Sequence, residues 1–275
     1  MTPLFATLTF ALGAIIGSFL SVAIYRIHMR KKGILISRSF CPACKKKIKF
    51  RHLIPIFSWL FLRGKCAYCG KKISAHYIML EIVTGLLFLA TFFMWNFIET
   101  VPSIINPSVV DYTINWQTFE IFIFYIIEFS MLSGIFFYDL MYKIIPDRFS
   151  LPAIAVALTG GLVIGTLPPL DMLIGGAAIL AFFALQFFAS KGKWIGGGDL
   201  RLGLLIGVLL GWKLGIVALV VAYILGAIIS GILLIMKKVG RRSAIPFGPF
   251  LVTGMIAAIF FGDKLLEWYM NSFSI

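Results

Sequence analysis

What most limits the folds open to this chain is a succession of uninterrupted apolar tracts. Several reach the roughly 20 residues that a helix needs to cross a ~30 Å hydrocarbon layer. They run at about 4–25, 76–98, 117–138, 149–167, 171–190, 202–212, 214–236 and 247–268. With 60% hydrophobic and 13% charged residues and a mean hydropathy of +0.99, the 275-residue chain lacks the polar surface of a water-soluble domain. The expected fold class is all-α: a polytopic membrane protein of about eight transmembrane helices. "LIPIFSWLFL" (53–62) is too short to span and reads as interfacial.

Charge then orients the helices. From Arg26 to Lys72 there are 14 Lys or Arg and no Asp or Glu. Basic residues stay on the cytoplasmic side of a membrane and are attracted by its anionic lipids. The net charge of +14 is therefore assigned to topology and the lipid bilayer, with no nucleic-acid partner. Lys143, Arg148, Lys191, Lys193, Arg201, Lys237, Lys238, Arg241 and Arg242 follow the same rule. Keeping Arg201 and Lys237 both inside requires two crossings between them, so the tract is divided at Trp212 and Lys213. The even count places both termini outside. No positive region precedes residue 4, which favours an uncleaved first helix over a signal peptide. The expected organisation is a first transmembrane helix (1–25), a cytoplasmic cysteine-rich module (26–75) and a transmembrane catalytic domain (76–275).

All four cysteines lie in that module, as "CPAC" (41–44) and "CAYC" (66–69), with 21 residues between the pairs. Two C-x2-C knuckles can each wrap one side of a tetrahedral metal, so Cys41, Cys44, Cys66 and Cys69 are read as structural zinc ligands. Two disulfides would conflict with a cytoplasmic location. Redox thiols and unpaired structural cysteines remain as alternatives. Gly64 and Gly70 flank the second knuckle and suit its tight turns. His52 and His76 read as ordinary loop residues beside four available thiolates.

Only 11 acids occur in the chain, so each one near a membrane segment is informative. Asp139 ends the third segment in "GIFFYDLMYKIIPDR", and Asp199 opens the sixth in "IGGGDLRLG". The topology puts both on the cytoplasmic face. Two carboxylates brought together there cannot both ionise and share a proton. One can then activate water while the other protonates a scissile amide. Gly196, Gly197 and Gly198 would let the backbone beside Asp199 adopt strained or positive-φ conformations and, by removing side-chain bulk, let a substrate approach. Asp147 is the rival to Asp139 and can equally cap the next helix. Glu128 reads as a polar contact between helices and Glu81 as a residue facing headgroups or neighbouring polar groups. On charge alone, an acid pair serves an ion or solute transporter as well as a protease.

Several motifs together resemble the type IV prepilin peptidase family, a group of GxGD-type membrane aspartic peptidases. They are "GSFLSVAIYRI" (17–27), the cysteine stretch 41–74 with its "IP…SWL…RGKC" line, "YDLMYKIIPDRFSLP" (138–152), "GGGDLRLG" (196–203) and "IPFGPFL" (245–251). The resemblance runs through nearly the whole chain and implies a multi-pass enzyme of the bacterial cytoplasmic (inner) membrane. Such enzymes cut the basic leader of type IV prepilins or pseudopilins on the cytoplasmic side. It implies Asp139 and Asp199 as the catalytic pair. It also implies N-methylation of the new N-terminus with S-adenosylmethionine, with Gly64 and Lys65 as cofactor-binding candidates. The chain departs from the family where an acidic residue and Asn are usual, having His52 and Leu53 in "RHLIP" (51–55). A transporter would instead place its acids near mid-membrane between paired half-helices.

Overall fold

The structure is a computed structural model and describes residues 2–30, 39–102, 110–238, 240 and 245–272. Lys31, Lys32, Arg38, Arg241 and Arg242, used above to assign topology, lie outside them. Among the described residues, seven helices are long and apolar enough to cross a membrane. They are α1 (Thr2–His28), α3 (Ala75–Met94), α4 (Trp116–Tyr142), α5 (Asp147–Ile164), α6 (Pro169–Ala189), α7 (Gly197–Ile235) and α8 (Gly248–Ser272). The segment read as interfacial holds only the five-residue α2 (Phe57–Phe61).

The division expected near Trp212 is found inside α7. Its 39 residues would make a straight rod of about 58 Å, nearly twice the hydrocarbon thickness. Helical geometry fails at Gly211, with φ 69° and ψ −173°, a conformation essentially confined to glycine. Residues 197–210 and 212–235 are thus two helical segments in series, and the expected division at Trp212 falls one residue away. The all-α expectation needs one small addition. Ile98–Pro102 (β1) pairs antiparallel with Val110–Ile114 (β2).

The chain forms two compact units, Met1–Gly134 and Ile135–Ile275, with the boundary inside α4. In the first, α1 and α3 touch backbone to backbone. A Cβ on Gly13 would sit 2.7 Å from the Thr84 carbonyl oxygen, and one on Gly17 would sit 2.7 Å from the Glu81 Cα. Small residues allow this approach, which lipid-immersed helices use because lipid gives them no hydrophobic drive to associate. Phe88, Phe92, Phe97 and Phe122 fill the core beside them. In the second unit the same device recurs. A Cβ on Gly175 would meet the Gly207 carbonyl oxygen at 2.5 Å, locking α6 to the first half of α7. Gly254 of α8 packs likewise on Ala218, beyond the break. Gly165, in the left-handed region at φ 72°, ends α5, and Pro169 opens α6 after a tight turn.

Candidate active site and metal centre

Asp139 and Asp199 both belong to the second unit, one near the end of α4 and the other in the first turn of α7. Both are buried, at 4% and 8% exposure. They lie close enough for their charges to interact. Asp139 accepts a hydrogen bond from the backbone N–H of Gly248, the first residue of α8. This contact is tight: a Cβ on Gly248 would lie 2.5 Å from the Asp139 Oδ2. Asp199 Oδ2 accepts the N–H of Gly196 at 3.0 Å, closing the N-terminus of α7, where a carboxylate also meets the positive end of the helix dipole. Buried Ile145, from the α4–α5 connection, joins the two sides. It stands 2.7 Å from where a Cβ of Gly198 would be and 3.3 Å from one on Gly248.

The glycine triplet supplies room rather than positive φ. None of Gly196, Gly197 and Gly198 takes positive φ. Gly196 is the extended N-cap at φ −79°, Gly198 makes room for Ile145, and Gly197 has nothing within 4 Å of a notional Cβ. The left-handed residues are Lys191 and Gly192, earlier in the same connection, because the chain turns there before the helix begins. Asp147 does not act as an N-cap either. Pro146 holds that position, Asp147 begins α5, and its carboxylate pairs with Arg201 near the surface. Glu128 was expected to make a polar contact. It is fully buried, and among the described residues neither carboxyl oxygen has a hydrogen-bond partner.

In the first unit the four thiols converge, with all four sulfurs within 4.8 Å of one another. Cys41 and Cys69 are 4.0 Å apart. Four thiolates about 2.3 Å from one zinc ion stand roughly 3.8 Å from each other, so this donor set fits a tetrahedral zinc. The two knuckles repeat one backbone pattern. Cys41 N–H donates to Lys46 O and Cys66 N–H to Lys71 O, while Lys45 N–H returns to Cys41 O and Gly70 N–H to Cys66 O. Lys45 and Gly70 take matching left-handed φ of 58° and 69°. The Tyr68 N–H, 3.5 Å from Cys66 Sγ, is the main influence drawing that thiol down to about 7. Cys69 feels an opposing pull from the Lys71 N–H, yet burial and the neighbouring thiols push it up to about 11. Neither His52 nor His76 joins the cluster.

Glu81 takes the second of its two expected settings, among neighbouring polar groups. It is buried rather than facing headgroups, and its Oε2 accepts the N–H of Ile56 at 2.7 Å. Ser18 also bonds to it. Ile56 holds φ 64°, strained for a β-branched residue, so Glu81 pins the turn before α2 onto α3. Beside it lies a cavity of about 440 Å³. Gly64 and Lys65 are not among its lining residues. Gly64, at φ 64°, packs on the Trp59 ring, which does line it, and exposed Lys65 pairs its backbone with Lys72.

Fold and sites together define a multi-pass membrane protein with a four-thiol metal knuckle in one unit and a buried carboxylate pair in the other. The family model for the bacterial peptidase A24 N-terminal domain matches residues 11–95, and that for the type IV leader peptidase family matches residues 122–231. The chain is similar to proteins named prepilin leader peptidase/N-methyltransferase. The Bacillus subtilis protein is 31% identical over 96% of this chain and 98% of its own length. That of Legionella pneumophila is 30% identical over 93% and 91%, and that of Xanthomonas campestris 29% over 94% and 92%. No solved structure matches the chain. The chain belongs to the type IV leader peptidase family and is a membrane peptidase. This membership disfavours an ion or solute transporter.

Proposed function

We propose that the protein is an aspartic endopeptidase that removes the basic leader of a type IV prepilin or pseudopilin at the cytoplasmic face of the inner membrane, with Asp139 and Asp199 as its catalytic pair. The observation that carries this reading is the approach of two buried carboxylates at one end of the second unit, each held by a backbone N–H. In the reaction, one carboxylate takes a proton from water as the oxygen attacks the scissile carbonyl. The other carboxyl donates a proton to the departing amide nitrogen. Gly248 orients Asp139 through its N–H and Gly196 orients Asp199. Buried Ile145 packs beside the pair, against Gly198 and Gly248.

The relatives' names support a second step, N-methylation of the new terminus. S-adenosylmethionine, when bound, supplies the methyl group that the amine takes up, with release of S-adenosylhomocysteine and a proton. Zinc on Cys41, Cys44, Cys66 and Cys69 would fix the module on which that step depends. The test uses detergent-solubilised protein and a prepilin. Asp139→Asn and Asp199→Asn are each expected to abolish cleavage while Asp147→Asn retains it. Cleavage surviving in either of the first two removes the dyad.

A further inference from the structure

The cysteine module carries large apolar side chains on its outside. The residues of α2 divide between two faces. Ser58 and Trp59 turn inward to line the cavity, as does Leu62 just beyond the helix. Phe57, Leu60 and Phe61, spaced as i, i+3 and i+4, share the opposite face and are exposed. The short helical turn Phe50–His52 packs beside α2 and adds Phe50. Phe50 and Phe61 are 85% and 84% exposed, so the protein covers almost none of either ring. Single apolar side chains on a surface are ordinary, but four large ones between residues 50 and 61 mark a contact surface. Cations frame them. Lys49, Arg51, Arg63 and Lys65 are all exposed, and residues 39–74 include no acid.

The helices on either side fix where this surface can lie. Gly13 of α1 meets Thr84 of α3 and Gly17 meets Glu81, so the two helices run antiparallel. The end of α1 at His28 and the start of α3 at Ala75 therefore lie at the same end of the pair. Both helices are long and apolar enough to cross a membrane, so the module between them is held at one membrane surface. An acidic water-soluble protein would match the cations and leave the rings in water. An apolar protein groove would accept the rings and leave the cations unanswered. An anionic leaflet offers both, with phosphates at its surface and hydrocarbon beneath them. We propose that Phe50, Phe57, Leu60 and Phe61 form a lipid-docking face, by which the cysteine module rests on the anionic leaflet from which α1 and α3 emerge. The rings sit at the edge of the hydrocarbon, while Lys49, Arg51, Arg63 and Lys65 reach the phosphates with their charged ends. The docking face is not the 53–62 segment as a whole. Within it Ser58, Trp59 and Leu62 serve the cavity, and Phe50 comes from outside it. The inference is independent of both the peptidase and the methyl-transfer readings.

The test uses the full chain in nanodiscs of phosphatidylcholine, with or without phosphatidylglycerol, carrying a trace of phosphatidylcholine whose acyl chain bears a diazirine. After irradiation, labelled peptides are identified by mass spectrometry. Peptides of α3 serve as internal standard, and melting temperature and zinc content check folding. The expected result is label on the peptide holding Phe57–Phe61 in discs with phosphatidylglycerol, falling about threefold without it. Phe57→Ser combined with Phe61→Ser is expected to lower that label at least about fivefold while α3 keeps its own. A wild-type chain labelled on α3 but not at Phe57–Phe61 overturns the docking face. Equal label in the two kinds of disc overturns the anionic preference, and label unchanged in the double variant overturns the part given to the rings. A lysine-reactive crosslink joining Lys49 or Lys65 to a second chain, in place of the lipid label, makes the face a protein interface and overturns the proposal. Should the double variant melt early, the wild-type labelling decides alone.

Discussion

Gly248→Ala is the sharpest test of how the peptidase site is held together. Its added methyl would stand 2.5 Å from Asp139 Oδ2, whereas an ordinary contact begins at 3.4 Å, so the carboxylate must retreat by about 0.9 Å or α8 must shift. Either movement breaks the Gly248 N–H bond to Asp139. Hydrogen bonds to charged groups are worth about 1.5–3 kcal/mol. A misplacement of about 1 Å in a reacting group costs on the order of 10²-fold in rate. At 1.36 kcal/mol per tenfold, both routes give a loss of about 10²-fold in kcat/KM. The assay is cleavage of a prepilin in detergent under kcat/KM conditions, alongside melting temperature and zinc content. Gly231→Ala is the control, since a Cβ there meets nothing within 4 Å and removes a flexible glycine from the second half of α7. A Gly248→Ala enzyme within threefold of wild type would refute the idea that α8 positions Asp139 through this contact.

Three further outcomes follow from the geometry. Asp147→Asn breaks an ion pair whose partners are 56% and 39% exposed, so it should cost at most about 1 kcal/mol in a melting experiment and leave cleavage within about threefold. Lys45 adopts the left-handed turn that Gly70 serves in the matching knuckle, so Lys45→Gly should stabilise the protein by about 0.5–1 kcal/mol, and Lys45→Ala should not. Zinc needs thiolates: Cys66 at about 7 is a thiolate above neutrality, while Cys69 at about 11 must shed its proton on binding. Chelator competition should therefore show zinc affinity falling as pH drops from 8 to 6, with proton release at pH 8; a pH-independent affinity would contradict the thiolate site.

Which features could be read from the sequence follows from the range over which each is determined. Helix existence is local. Apolar length alone gave the spans, and the charge-driven division at Trp212 landed beside the real break at Gly211, where φ is 69°. The cysteine knuckles are also local, because two-residue spacing forces each pair of sulfurs to one side. The hairpin was hidden because "IETVP" and "VDYTI" mix an acid, a proline and β-branched residues, and only pairing with each other makes them strands. The features that were not legible concern residues whose environment is supplied by distant chain. Glu81 sits near a helix end, where an acid usually meets water, but Ile56, 25 residues earlier, folds back to bury it. The glycines before Asp199 were expected to give the backbone freedom and to leave room for a substrate, and the neighbour that Gly198 and Gly248 share is a side chain, Ile145, from another connection. A motif shows that a glycine is required; only the tertiary neighbour shows whether the requirement is a dihedral angle or a missing methyl. At this site it is the missing methyl, so substitutions that restore one methyl should disturb the carboxylates more than substitutions that stiffen the backbone.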